Sequence, residues 1–399
     1  MEFNMKRVRK QILFWFLIGC LCHGGFLYAM KSTVNKNELL FQACEDGDKE
    51  SVSDLLVYGA DIKAKNKNGN TPLMLACLYG HKKITELLVK KGADIEETDR
   101  FGQTCLVRIL QEGRNYKNTV QLLLEHGANI EAKDYLGGTP LMYACKFGYK
   151  EIVKLLLEKN ANIEVKDKYD RTPLLSASCS GNKEIVKLLL AKNADTEAKD
   201  DHNKTPLTYA CWHGHIETVK LLLAKGADTE AKDNDNKTPL IYACIYGNTE
   251  IVKLLLENDA EIEAKDDQEL TPLLWACSGG KNEIVELLLA KGANTEAKSK
   301  HGYTPLLIAR EENNKELIRL LIEQRDNKHQ TKVSEKETCS ICLEEFKDKD
   351  NISEAPCGHC YHLQCILGWM EQDKDSCPIC RKTIAEKSLK SKIFSKVKK

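Results

Sequence analysis

The sequence has no net charge: 59 lysines and arginines are balanced by 59 aspartates and glutamates. It also has no basic stripe with interleaved aromatics, which argues against nucleic-acid binding as the main activity. Proline is scarce, nine residues in 399, and seven of the nine directly follow a threonine. The layout of a disulfide framework is missing too. Seventeen cysteines is a high number, yet seven lie in the last 61 residues, two in an N-terminal apolar run and eight through the middle. With 42% hydrophobic and 30% charged residues, the composition is that of a soluble globular protein with room for about two or three domains.

What is there in abundance is repetition. TPLMLACLYG from Thr71, TPLMYACKFG from Thr139, TPLLSASCSG from Thr172, TPLTYACWHG from Thr205, TPLIYACIYG from Thr238, TPLLWACSGG from Thr271 and TPLLIAREEN from Thr304 recur, with a step of 33 from Thr139 onward. TCLVRILQEG at Thr104 fills the longer gap, with two extra residues near Arg114–Tyr116. ELLFQACEDG at Glu38 precedes the set, giving nine units over residues 34–325.

Each unit reads as two helices and a turn. Threonine caps the first helix, and proline suits its first turn, where a missing N–H costs nothing. Glycine (Gly47, Gly80, Gly148, Gly181, Gly214, Gly247, Gly280) closes that helix in the left-handed region. A second helix follows, such as EIVKLLLEK over 151–159, with apolar residues at helical spacing. It ends at Gly, Asn or Asp, and a polar, turn-rich stretch leads to the next threonine. Period and pattern together resemble the ankyrin repeat across about three quarters of the chain. The familiar histidine after Thr-Pro-Leu is replaced by Met74, Met142, Leu175, Thr208, Ile241, Leu274 and Leu307.

The middle cysteines fit this frame. Cys44, Cys77, Cys145, Cys211, Cys244 and Cys277 each sit six residues into a unit. Stacked neighbours about 10 Å apart exceed the roughly 7 Å Cα limit for a disulfide, so these are small core residues. No unit of such a stack buries its own apolar face, so the array is expected to form an elongated solenoid with a concave surface. The resemblance implies protein recognition there. Tyr79, Phe147, Trp212, His213, Tyr246 and Trp275 are candidate contacts, with partial burial between units as the plainer reading.

After a charged stretch, RDNKHQTKVSEKET, that lacks Pro and Gly and reads as a helix extension or as a linker over 326–338, the pattern changes. Cys339-x2-Cys342, fourteen residues, Cys357-x-His359-x2-His362-x2-Cys365, eleven residues and Cys377-x2-Cys380 follow in order. A structural zinc takes four Cys/His ligands, so eight ligands mean two ions. The order resembles the RING-H2 finger. By that resemblance, Cys339, Cys342, His362 and Cys365 hold one Zn²⁺, and Cys357, His359, Cys377 and Cys380 hold the other, over residues 339–381. Cys360, a ninth candidate donor, breaks the spacing. Metal binding then supplies the folding energy of a piece with a very small core. The resemblance further implies a ubiquitin ligase. Ile341, Trp369, Pro378 and Ile379 match the groove that grips a ubiquitin-conjugating enzyme. Arg381 matches the position that bridges that enzyme and its ubiquitin, for which a forked guanidinium is suited. For Trp369 and Pro378 the plainer reading is mini-core packing; for Arg381 it is ordinary solvent exposure.

At the other end, Lys6, Arg7, Arg9 and Lys10 precede ILFWFLIGCLC (residues 12–22), and Ala29 and Met30 close the run. Three readings stay open for residues 1–30: a cleaved signal peptide, a membrane anchor over residues 12–30, and a lipoprotein box at Leu17–Cys20. Export conflicts with cytosolic ubiquitin machinery. An intracellular bacterium that exports the protein into a eukaryotic host cytosol reconciles the two, and cytoplasmic residence is the alternative. The basic tail over 382–399 reads as a solvated end.

The expectation is an all-α ankyrin-repeat solenoid of about nine helix-turn-helix units plus a small zinc-stabilised cross-brace RING domain. It would act as a RING-type E3 ubiquitin ligase without an acyl-enzyme intermediate, the array holding a substrate protein. The alternative is a non-enzymatic adaptor with a structural zinc module.

Overall fold

The structure is a computed structural model that describes residues 35–328, residue 341, residues 352–354 and 360–362, and residue 365. Among the described residues there are eighteen helices and one two-stranded antiparallel sheet. The chain divides at Ser180 and Gly181 into two compact units. The first runs from the helix Lys36–Asp46 to the helix Pro173–Ser180, and the second from Lys183–Ala191 to Lys315–Lys328.

The threonine caps form as the sequence predicts. Thr71, Thr104, Thr139, Thr205, Thr238, Thr271 and Thr304 each accept the backbone N–H three residues on, at 3.2–3.5 Å. Proline occupies the first turn of these helices except at Thr104, where Cys105 stands in its place. The two extra residues near Arg114–Tyr116 widen the turn between the helices Cys105–Gln111 and Lys117–Glu125. Second helices end on left-handed residues, among them Asn160, Asn193 and Asp259 with φ near +60°. These residue types tolerate that region.

Gly214 shows why the first helix ends on glycine. Its φ is +76°, and an added Cβ would lie 2.9 Å from Asn248 Oδ1. The Asn248 amide meanwhile donates to the Cys211 carbonyl at 3.0 Å, so a C-terminal carbonyl of one helix is satisfied by the next repeat.

Neighbouring repeats are tied together along their loops as well. Glu96, Glu131, Glu197, Glu230 and Glu263 each accept a backbone N–H from the following repeat, at Asn129, Asn162, Asp228, Glu261 and Asn294. The turn tips pair main chain to main chain, as in Lys168 N–H to Leu136 O at 2.8 Å and Asp267 N–H to Asp235 O at 3.0 Å. Between these polar ties the core repeats: Leu141, Ile152 and Leu156 in the first unit, and Leu240, Ile251 and Leu255 in the second, are fully or almost fully buried. Burial of this kind, repeated with each step, holds an array together without a central core.

Candidate functional site

The first candidate surface, within each compact unit, is formed by the repeat loops and the first helices, and it rests on a device that spacing alone did not show. In six of the turns one buried aspartate is the fastener, with Asn66 and Ser299 standing at the equivalent positions of the first and last. Asp233 is typical: its Oδ1 accepts the N–H groups of Asp235 and Lys237 at 2.9 and 2.8 Å, and its Oδ2 accepts the Tyr242 hydroxyl at 2.6 Å. The same clasp, nine residues from loop to helix, joins Asp134 to Tyr143, Asp200 to Tyr209, Asp266 to the Trp275 indole N–H, and Asp99 to Arg108. Asp167 breaks the rule. Ser176 stands where the others have a long side chain, and Arg171 fastens Asp167 instead, its Nε at 2.8 Å. Burial and the acceptor beside each ring push the Tyr143 and Tyr242 hydroxyls well above their ordinary range, so both remain donors at any physiological pH. Removing the carboxylate in Asp233→Ala leaves a nearly buried hydroxyl and two turn N–H groups without their acceptor. A loss of about 2–3 kcal/mol is expected, read as a lower urea midpoint.

Of the six residues predicted as contacts, three come together. Trp212 stacks on His213 at 5.4 Å, on Tyr242 at 5.5 Å, on Tyr209 at 5.8 Å and on Tyr246 at 6.0 Å, with the ring planes within 26° of parallel. Tyr246 is the exposed end of this comb. Burial, with His215 beside it, holds the His213 imidazole below its ordinary range. The other three stand apart from the comb. Tyr79 stacks on His81, Phe147 on Tyr149, and Trp275 is held half-buried by its aspartate. Tyr209 and Tyr242, missed from sequence, belong to the comb. Their signal was the recurring Tyr-Ala-Cys nine residues after an aspartate.

The six thiols that stand six residues into a unit sit in the core, as expected from their place in the repeat; Cys105, at the first position of its helix, is buried as well, and Cys179 is half-buried. Cys44, Cys77, Cys105, Cys145, Cys211, Cys244 and Cys277 are buried, and among the described residues no cysteine is disulfide-bonded. Burial pushes the thiols of Cys44 and Cys277 up to about 12, and those of Cys145, Cys211 and Cys244 higher still. The thiolate is the nucleophile, so these side chains are inert at neutral pH. Because they stay protonated when folded, their contribution is intact below the ordinary value of 9.0 and is lost as the pH climbs toward about 12. Helical ellipticity is expected to fall across that alkaline window. Iodoacetamide at pH 8 should leave the seven thiols unmodified until urea is added.

The second candidate site is at the C-terminal end. Strand β1, Ile352–Glu354, pairs antiparallel with strand β2, Cys360–His362, in the register Ile352↔His362, Ser353↔Tyr361 and Glu354↔Cys360. His362 closes β2, and Cys365 follows three residues later in helical conformation, half-buried. Ile341 lies in a turn, also half-buried. Cys339, Cys342, Cys357, His359, Trp369, Cys377, Pro378, Ile379, Cys380 and Arg381 lie outside the described residues, as do residues 1–30 and the tail. The donor set fits zinc: imidazole and thiolate only, in pairs close enough along the chain to share an ion. Among the described residues no helix is long and apolar enough to cross a membrane.

Paired short helices joined by aspartate-fastened turns define a solenoid of the ankyrin type. The family described as "Ankyrin repeats (3 copies)" matches residues 40–134, 115–200, 196–266 and 261–332, and the chain belongs to that family. The family described as "Ring finger domain" matches residues 337–381, so a RING-type domain follows the repeats. Over this second region the chain is 44% identical across 52 residues to RING finger protein 122 of Homo sapiens, covering 13% of this chain and 33% of that one. It is 38% identical across 53 residues to the E3 ubiquitin-protein ligase RNF13 of Homo sapiens, covering 13% and 14%. It is 42% identical across 62 residues to the E3 ubiquitin-protein ligase trul-1 of Caenorhabditis elegans, covering 16% and 14%. The chain spans a third or less of the length of each of these relatives.

Proposed function

We propose that this protein is a RING-type E3 ubiquitin ligase whose ankyrin array holds the substrate. The observation that carries the reading is a ring finger, similar to those of E3 ligases, on the same chain as a protein-binding repeat array. Cys339, Cys342, His362 and Cys365 hold one zinc ion, and Cys357, His359, Cys377 and Cys380 the other. The two ions supply the cross-links that give a segment of this size its fold. Four protein ligands per ion leave no open position for water, so the metal is structural.

Ile341, Trp369, Pro378 and Ile379 receive the loop surface of a ubiquitin-conjugating enzyme. Arg381 spans from that enzyme to the ubiquitin it carries, its guanidinium donating to carbonyls on both. No residue of the ligase becomes acylated. Its contribution is to restrict the thioester to conformations in which a lysine can attack, and the array raises the local concentration of that lysine. Action in a eukaryotic cytosol after export through the N-terminal segment accords with the basic-apolar pattern of residues 6–30.

The test is reconstitution of the full chain with ubiquitin, activating enzyme and a panel of conjugating enzymes. Ubiquitin chains are expected with at least one member. Zinc-loaded protein that makes none, while still binding partners through its repeats, would establish the adaptor reading in its place.

A further inference from the structure

The clasp at Asp167 differs from its counterparts, and a cavity of about 720 Å³ lies beside it, within the first compact unit. Its origin is one residue. Where sister repeats carry Tyr143, Tyr209, Tyr242 and Trp275, this repeat carries Ser176, and the volume those rings fill is left open. Phe101, Tyr135 and Phe147 stand at its edge, 45%, 61% and 40% exposed, a concentration of surface apolar rings that isolated exposure does not explain. A volume of this size is within the range of ligand sites.

The chemistry of the occupant follows from which polar groups are already engaged. The acidic groups in the lining are. Asp134 accepts from Leu136 N–H, Gly138 N–H and the Tyr143 hydroxyl. Asp167 accepts from Tyr169 N–H, Arg171 N–H and the Arg171 side chain. Glu112 pairs with Arg108 at 3.1 Å. The donors are not all used. Lys146 lies over the Phe147 ring at 5.5 Å and forms no ion pair among the described residues. Arg108 Nε is buried with no hydrogen-bond partner, although its other nitrogens are held by Asp99, Gln103 and Glu112. A site with filled acceptors, an unpaired ammonium and an apolar rim complements a carboxylate beside an apolar ring or branched side chain.

We infer that this cavity is the specificity pocket of the array, and that it takes an acidic peptide segment in which Asp or Glu stands next to Phe, Tyr or Leu. The inference rests on the reading that the array recruits substrate, and it names the chemical class of the segment recruited. Lys146 meets the carboxylate, and the apolar neighbour enters the space over Ser176.

A random twelve-residue peptide library panned on the immobilised, zinc-loaded full chain tests this. The selected sequences are expected to be enriched in Asp or Glu adjacent to an apolar residue. A synthetic copy of the most enriched peptide should bind Ser176→Tyr and Lys146→Glu about tenfold or more weakly than the unmodified chain. Ser176→Tyr introduces the residue that sister repeats hold beside the same aspartate, so its urea midpoint should not fall. Selection of basic peptides, of none, or of peptides whose affinity Ser176→Tyr leaves unchanged would overturn the proposal. Ubiquitin chain formation without substrate, measured on the same preparations, should be equal in all three proteins. Its absence from all three would count against the ligase reading and leave the peptide result standing.

Discussion

Cys365→Ser is expected to remove ubiquitin chain formation, by about a hundredfold or more, while the repeats unfold at an unchanged urea concentration. In the proposed ligand set the thiolate it replaces is one of four around an ion, and three ligands hold zinc far less well than four. Cross-bracing spreads the damage, because each ion joins segments that are distant along the chain and a finger of this size has little apolar core to fall back on. The array, by contrast, draws its stability from buried apolar residues such as Ile251 and Leu255 and from ties of each repeat to the next, such as the Glu261 N–H on Glu230, and none of these involves the metal. Zinc content and chain formation should therefore fall together, with far-ultraviolet helicity of the repeats retained. A chelator acting on the unmodified protein should give the same split. Loss of the array along with the metal would mean that the two parts do not fold independently.

The second large effect is expected at Ile341 and Arg381, and the two substitutions should fail differently. Ile341→Ala trims an apolar anchor of the proposed conjugating-enzyme groove, so chain formation should fall roughly tenfold or more, with weaker binding of the conjugating enzyme. Arg381→Ala should leave that binding nearly intact and slow transfer by roughly tenfold to a hundredfold, because the role proposed for it is to hold the loaded ubiquitin in a reactive arrangement. Raising the conjugating-enzyme concentration should rescue the first variant and not the second. Zinc content should be unchanged in both, which separates these effects from collapse of the finger.

Much of the architecture was readable from residue types at fixed offsets. Threonine before proline marked the helix starts, and glycine, asparagine or aspartate marked the ends, because each solves a local backbone problem that recurs every 33 residues. The buried cysteines were legible for the same reason. The aspartate clasp was not. It joins Asp233 to Tyr242 across a turn and into a helix, and within a polar stretch such as ADTEAKDNDNK the aspartate that turns inward is marked only by the tyrosine nine residues further on. The cavity was hidden for a related reason, since Ser176 is unremarkable until the rings at equivalent positions are seen to occupy space. At the C-terminus the ring finger was legible because metal geometry restricts the spacing of Cys and His more tightly than packing does. There the structure adds the β1–β2 register, the end of β2 at His362 and the helical Cys365.

Positional catalysis by the ring finger would show itself in single-turnover discharge of a preformed conjugating-enzyme–ubiquitin thioester onto free lysine. The full chain is expected to accelerate discharge, with Arg381→Ala lowering the rate and no ubiquitin ever found covalently attached to a ligase cysteine as an intermediate. An unaccelerated discharge in the presence of folded, zinc-loaded protein, or a ubiquitin thioester trapped on the ligase itself, would contradict it.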